Sequence, residues 1–207
     1  MERPAKHDGR TTDTRAHIVR EAERLYYQGG YAGIRLQTVA DVLGLTKPAL
    51  FHHFRSKQDL FCAVLLDMLA ARRERIEAAI AATPDTAGRL RGILLALAGM
   101  PFFDPMKFLT DERGKLRPEQ ARDVEEGFAR AIQEPIARVL EEGMAAGVLR
   151  PHRPMLGVMI FLNLAMLLPS PGHPNPRLTG AVDLPTYVDE MLACFLRGVG
   201  GTPPRTA

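Results

Sequence analysis

The chain has 207 residues, of which 46% are hydrophobic, 25% charged and 6% aromatic, with no Trp and nine Met. That is the balance of a soluble globular chain with a largely aliphatic core. The longest apolar region, Met155 to Leu168, falls short of the roughly 20 residues of a bilayer span. The polar start Met1-Glu2-Arg3-Pro4-Ala5-Lys6 is followed by no apolar run of the kind a secretory signal needs. The net charge of +3 is uneven: residues 1–60 hold ten Lys/Arg against seven Asp/Glu, and the rest of the chain is balanced. A basic N-terminal third on a neutral body suits a small module that meets a polyanion.

Residues 1–12 are polar and read as a flexible arm. From Asp13 the pattern turns helical, with Ile18, Ala22, Leu25 and Tyr26 on one stripe, Asp13 or Thr14 as cap and Gly29-Gly30 as stop. A short segment from Leu36 to Leu43 follows, with Leu36, Val39, Ala40 and Leu43 on one face. Gly44 breaks it. Thr46 can cap the next element, and Pro48 sits in a first turn where its missing N–H does no harm. That third helix ends near Phe54-Arg55. Ser56 and Asp59 then have the form of a capping box. A long amphipathic helix carries Leu60, Phe61, Val64, Leu65, Met68, Leu69, Ile76 and Ile80 to about Ala82.

The remainder also reads as helical, with no alternating strand pattern. Thr86 to Ala98 places Leu90, Ile93, Leu94 and Leu97 on one side. Pro101 to Pro118 is irregular, with one short helix near Met106 at most. A long helix from Pro118 to about Ala146 contains Pro135, which predicts a kink at a cost of about 3 kcal/mol unless the bend is used. Two further helices, Pro154–Leu168 and Pro185–Arg197, flank a loop with five prolines and two glycines between Pro169 and Pro185. The fold class expected is all-α with about nine helices, a helix-turn-helix head followed by a helical ligand-binding and dimerisation body.

Two short helices joined at Gly44 are what a helix-turn-helix requires, because the turn needs a residue tolerant of positive φ. Val39, Ala40, Leu45 and Leu50 fix the angle between the helices. The second helix then projects Thr46, Lys47, Ala49, Phe51 and His52 toward a DNA major groove. Lys57, at the start of the fourth helix, combines a cation with free backbone N–H groups and can grip a phosphate.

Residues about 14–62 resemble the DNA-binding head of the tetracycline-repressor (TetR) family. The matching run is Gly30-Tyr31, then Val39-Ala40-Asp41-Val42-Leu43-Gly44-Leu45-Thr46, then Leu50-Phe51-His52-His53-Phe54-Arg55-Ser56-Lys57-Gln58-Asp59-Leu60. The resemblance covers about a quarter of the chain and implies that Lys57 holds a phosphate, that His53 contacts phosphate or packs, and that Thr46 and Lys47 face the groove. Phe51 stands where the family commonly has Tyr, which trades a phenol-to-phosphate bond for apolar contact with a thymine methyl. Arg35 replaces the Ser or Thr cap of the second helix. A cap worth about 1 kcal/mol is lost, and a guanidinium with reach to the phosphates is gained. The candidate DNA-binding set is Arg35, Gln37, Thr38, Thr46, Lys47, Ala49, Phe51, His52, His53 and Lys57.

The expected domains are an arm (1–12), the head (13–60, with its helix-turn-helix at about 34–53), the body (61–200) and a flexible tail (201–207). His52 and His53 point about 100° apart on a helix with no third ligand at metal spacing, so neither a metal nor a cofactor is expected. Cys62 and Cys194 match no metal or redox spacing and are expected as buried thiols in a reducing cytoplasm. Arg72, Arg73 and Arg75, with Glu74 and Glu77, read as a solvated face.

In the body, Met and Phe side chains form either plain core or a pocket for an apolar effector. Pocket candidates are Met68, Phe102, Phe103, Met106, Phe128, Met159 and Asn163. Asn163 can instead fix a dimer register or lie at an exposed edge. Dimer candidates are Met155, Met159, Leu162, Met166, Val188, Met191 and Phe195, packing as a four-helix bundle.

The function expected is a homodimeric DNA-binding regulator on a near-palindromic operator. In its simplest form it is a repressor released by a small apolar or amphipathic effector. An activator of the same family, a helical ligand-binding or adaptor protein without DNA binding, and an enzyme in the body are the rivals. The last lacks a nucleophile with a base at useful spacing, paired carboxylates, a Gly-rich phosphate loop and HExxH.

Overall fold

Burial follows the apolar stripes. Ile18, Ala22 and Leu25, spaced for one face of a helix, are all buried, and the computed structural model places them in α1 (Asp8–Gly33). The structure describes residues 8–101, 103–172 and 183–199. Helix α1 begins at Asp8, so residues 8–12, expected in the arm, are helical and neither Asp13 nor Thr14 starts the helix. The stop expected at Gly29-Gly30 is real as a kink: both glycines leave helical geometry, Gly30 at φ +60°, and one further turn carries the chain to Gly33. Helices α2 (Leu36–Val42), α3 (Lys47–His53) and α4 (Lys57–Ala81) follow.

Beyond α4 the order is α5 (Thr86–Ala98), a single turn α6 (Pro105–Lys107), α7 (Pro118–Phe128), α8 (Glu134–Ala145), α9 (Pro154–Ala165) and α10 (Leu184–Val199). All the regular elements among the described residues are helical. Between α6 and α7 lie a π-helical turn, Phe108–Glu112, and a 3₁₀ turn, Arg113–Lys115. Pro135 does its work through a second π-helical turn, Ala129–Gln133, which separates α7 from α8. Proline has no N–H to offer and its ring clashes with the carbonyl four residues back, so the preceding turn widens.

The chain forms two compact units: the first runs to Met68 and includes Met106–Val124, and the second comprises Leu69–Pro105 and the chain from Glu125 on. The stretch Met106–Val124 thus groups with the head, and specific contacts explain why. Tyr26 donates its hydroxyl to Glu112 Oε2 at 2.7 Å, and Gln58 donates to the Lys115 carbonyl at 2.9 Å. Arg117 and Gln120 both donate to Asp59 Oδ1, at 2.6 and 2.9 Å. Phe108, Leu116, Ala121 and Val124 supply the apolar side of this segment.

In the second unit, α5 starts on its cap Asp85, which accepts from Gly88 N at 2.7 Å, and packs against α8, α9 and α10. Arg91 on α5 makes a bidentate pair with Asp189 on α10, at 2.5 and 3.1 Å. Arg89 reaches Glu142 on α8 at 2.5 Å. Phe161 of α9 meets Phe195 of α10 edge-on, with centroids 5.5 Å apart. The same buried cluster holds Val188, Met191 and Leu192.

Candidate nucleic-acid interface

The α2–α3 pair is assembled from short-range rules. Val39, Ala40 and Leu50 are buried where the two helices meet. Gly44, at φ +63°, closes the turn between them, and Leu45 N donates to the Ala40 carbonyl at 2.8 Å. An added Cβ on Gly44 would meet nothing within 4 Å, so the demand for glycine here is one of backbone conformation alone. Thr46 caps α3 by accepting from Ala49 N at 3.3 Å. Arg35 stands at the N-cap of α2 without a side-chain cap bond, and its side chain is exposed.

The candidate DNA contacts are open to solvent in graded fashion. Arg35, Gln37, Thr46, Lys47, Phe51 and His52 are exposed, while Thr38, Ala49, His53 and Lys57 are half-buried. Gln37 donates to Asp41 at 2.7 Å along the outer side of α2. Phe51 is 38% exposed, a large apolar side chain left facing water on the helix expected to enter the groove. Lys57 Nζ sits over the Tyr31 ring, 4.2 Å from its centroid, and Tyr31 stands edge-on to the buried Phe61.

The basic residues here lie close enough to repel one another. Burial, then the Arg35 guanidinium, push the Lys57 ammonium below its usual range. Burial, then His52, then Arg15, do the same to His53. Each repulsion is relieved by an incoming anion. Arg15, stacked over Phe54 at 5.0 Å, and Tyr31 are the two members that reasoning on the helix-turn-helix alone missed. Tyr31 lies in the matching Gly30-Tyr31 dipeptide, which carried a signal; Arg15 carries none beyond its charge.

The second unit holds an apolar cavity of about 540 Å3, open mouth included. Its walls come from α5, the Pro101–Pro105 connection, the α7–π turn and α9. Of the pocket candidates, Phe103 and Phe128 line it, with ring centroids 6.2 Å apart. Met68 is buried elsewhere in core, and Met106 and Met159 are exposed. Asn163 is also exposed and donates to the Met159 carbonyl one turn back. Phe102 lies outside the described residues.

The dimer candidates divide. Met155 and Met159 are exposed, with Leu156, Ile160 and Leu167 beside them. Leu162 and Met166 line the cavity. Val188, Met191 and Phe195 are buried within their own chain, because α10 turns its apolar stripe onto α5 and α9. Two further expectations are corrected. Arg72 is only 3% exposed and lines the cavity, while Arg73 and Arg75 are exposed. Cys62 is a buried thiol, but Cys194 is exposed, since it falls on the outer side of α10.

A capped second helix, a glycine turn and a surrounding set of basic residues define a helix-turn-helix head. Residues 18–64 match the family model described as bacterial regulatory proteins, tetR family. The HTH-type transcriptional regulator TtgR of Pseudomonas putida is 35% identical over 85 residues, 40% of this chain and 40% of TtgR. In sequence, then, the match spans 40% of the length of that curated relative. A crystal structure of a tetR-family regulatory protein from Rhodococcus RHA1 shares the fold with a TM-score of 0.70 at 20% identity, over 91% of this chain and 98% of that one. The crystal structure of AibR in complex with isovaleryl coenzyme A and operator DNA gives 0.67 at 19% identity, over 87% and 96%. Residues 18–64 are thus similar to the head of tetR-family proteins, and the chain shares the fold of the solved tetR-family regulatory protein.

Proposed function

We propose that the chain is a cytoplasmic, homodimeric transcriptional regulator that binds a near-palindromic operator through α3 and is released from it by a small-molecule effector. The observation that carries the reading is the exposed set on α3, Lys47, Phe51 and His52, framed by Arg35 and Lys57. In the proposed complex, Lys57, Arg35 and His53 hold phosphates, while Thr46, Lys47, Ala49, Phe51 and His52 read base edges. Gln37 and Thr38 support the approach from α2.

A single head touches few base pairs, so useful affinity requires two, set about 34–36 Å or one helical repeat apart. The partner is a second copy of this chain. The exposed apolar row on α9, Met155, Leu156, Met159 and Ile160, is the surface proposed to meet it, since such a contiguous patch on a soluble protein commonly marks an interface. The effector site is the cavity behind Phe103 and Phe128. A neighbour of the same fold, AibR, has been solved with both isovaleryl coenzyme A and operator DNA, which supports a two-ligand design.

The enzyme reading draws no support from the carboxylates. Among the described residues, those shifted from their ordinary range are Asp59, Glu119, Asp183 and Asp189. All four are lowered by ion pairs or helix-end hydrogen bonds, and none lines the cavity. Selection from random duplex DNA tests the proposal against the adaptor reading. A regulator enriches a site with two inverted half-sites, and its binding weakens steeply as salt rises. No enriched sequence, or salt-insensitive binding, contradicts it.

A further inference from the structure

The cavity of the second unit is not uniformly apolar. Phe103, Phe128, Ile132, Leu162 and Met166 give it hydrocarbon walls, but Arg72 and Ser170 also line it. Arg72 is 3% exposed. Its Nη2 donates to the Pro101 carbonyl at 2.6 Å, and its guanidinium carbon lies 5.4 Å from the centroid of the Phe103 ring. These contacts hold the side chain in place against the cavity wall. A guanidinium keeps its charge however deeply it is buried, so the cavity carries a fixed positive charge. Ser170 Oγ is buried and has no hydrogen-bond partner among the described residues. A hydrocarbon ligand would leave that hydroxyl unsatisfied.

We propose that the effector is a small carboxylic acid with an apolar body. Its carboxylate accepts from the Arg72 guanidinium, and the Ser170 hydroxyl donates to an oxygen of the ligand. Its hydrocarbon or aryl part lies against Phe103, Phe128 and Met166. Planar guanidinium matches carboxylate geometry better than any other anion-binding side chain. Size sets a further limit. The cavity, open mouth included, is about 540 Å3. A single-ring or medium-chain acid fits this space. This assignment rests on the reading of the cavity as an effector site, and it adds the chemical class that the site selects.

The test uses the full-length protein and paired probes: benzoate with benzamide, and octanoate with octanamide. Calorimetry gives their affinities, and displacement of a fluorescent duplex carrying the selected site gives their effect on DNA binding. At least one acid is expected to bind tenfold or more tightly than its amide, and to release the duplex. Arg72→Gln should remove that preference while leaving DNA affinity without ligand unchanged. Ser170→Ala should weaken acid binding by several-fold. The wild-type comparison of acid with amide needs no variant, so it decides the matter even if Arg72→Gln fails to fold. Equal affinity for acid and amide, binding of neither, or an acid preference that survives in Arg72→Gln overturns the assignment. Loss is then confined to the ligand class if the wild-type protein still binds its duplex; failure to bind any duplex defeats the regulator reading itself.

Discussion

Lys57 illustrates how the proposed phosphate contact is built. Its ammonium lies 4.2 Å from the Tyr31 ring centroid, which fixes its direction, and burial together with Arg35 makes its free charge uncomfortable. A phosphate oxygen offsets both effects. Lys57→Ala is therefore expected to weaken DNA binding nearly equally for all sequences and to reduce the salt slope by about one. Tyr31→Leu should weaken it less, by about 0.5–1 kcal/mol, the worth of an exposed cation–π contact. Fluorescence anisotropy against a panel of duplexes over a salt series reads both. A change in sequence preference on Lys57→Ala would show that it reads bases instead.

Single residues were also where sequence reasoning was weakest. The exposed positions of the helix-turn-helix were legible because the turn, cap and helix are local and leave few choices. Arg72 was not. It sits in a run with Arg73, Glu74 and Arg75 whose charge suggests solvent, yet helical geometry rotates it about 100° from Arg73 and into the wall of a cavity. Charge pattern gives a helix face only when the partner surface is known.

Among elements, the start of α4 shows how several rules converge. Ser56 Oγ accepts from Asp59 N at 3.1 Å, the first bond of the capping box read from sequence, while the second runs from the Ser56 hydroxyl to Asp59 Oδ2 at 2.8 Å in place of the backbone N–H that a capping box uses. Asp59 also accepts from Arg117 and Gln120, long-range partners that no local pattern announces. Arg117 first, with Ser56 and Gln120 behind it, holds the Asp59 carboxyl below the usual carboxylate range against the opposing effect of burial. Ser56→Ala should cost about 1 kcal/mol, and Asp59→Ala should cost more, because it removes bonds to both α4 and the segment that follows the 3₁₀ turn.

The pH dependence has a definite sign. A carboxyl whose folded pKa is depressed adds stability above its unfolded pKa, near 3.9, and loses it as pH falls through the folded value. The gap between wild type and Asp59→Ala in urea unfolding should be full at pH 7 and shrink below about pH 4. A gap independent of pH would mean that the ion pair contributes nothing. The two π-helical turns belong to the same scale: Pro135 foretold a defect but not its form, since a kink and a widened turn satisfy the missing donor equally well in sequence.

For the whole molecule, the all-α reading, the order of helices and the head were legible because helix period, caps and glycine stops are local signals. The grouping of Met106–Val124 with the head was not, because it depends on pairs such as Tyr26–Glu112 and Gln58–Lys115. Nor was the division of labour between α9 and α10. Both have apolar stripes, but α10 spends its stripe on its own core, while α9 leaves Met155, Leu156, Met159 and Ile160 exposed.

The proposed dimer on DNA is tested most directly by titrating a duplex that carries the selected site, at concentrations far above the dissociation constant, with hydroxyl-radical protection read on the same samples. Two chains per duplex are expected, with two protected stretches about ten base pairs apart. One chain per duplex with a single protected stretch would contradict the account.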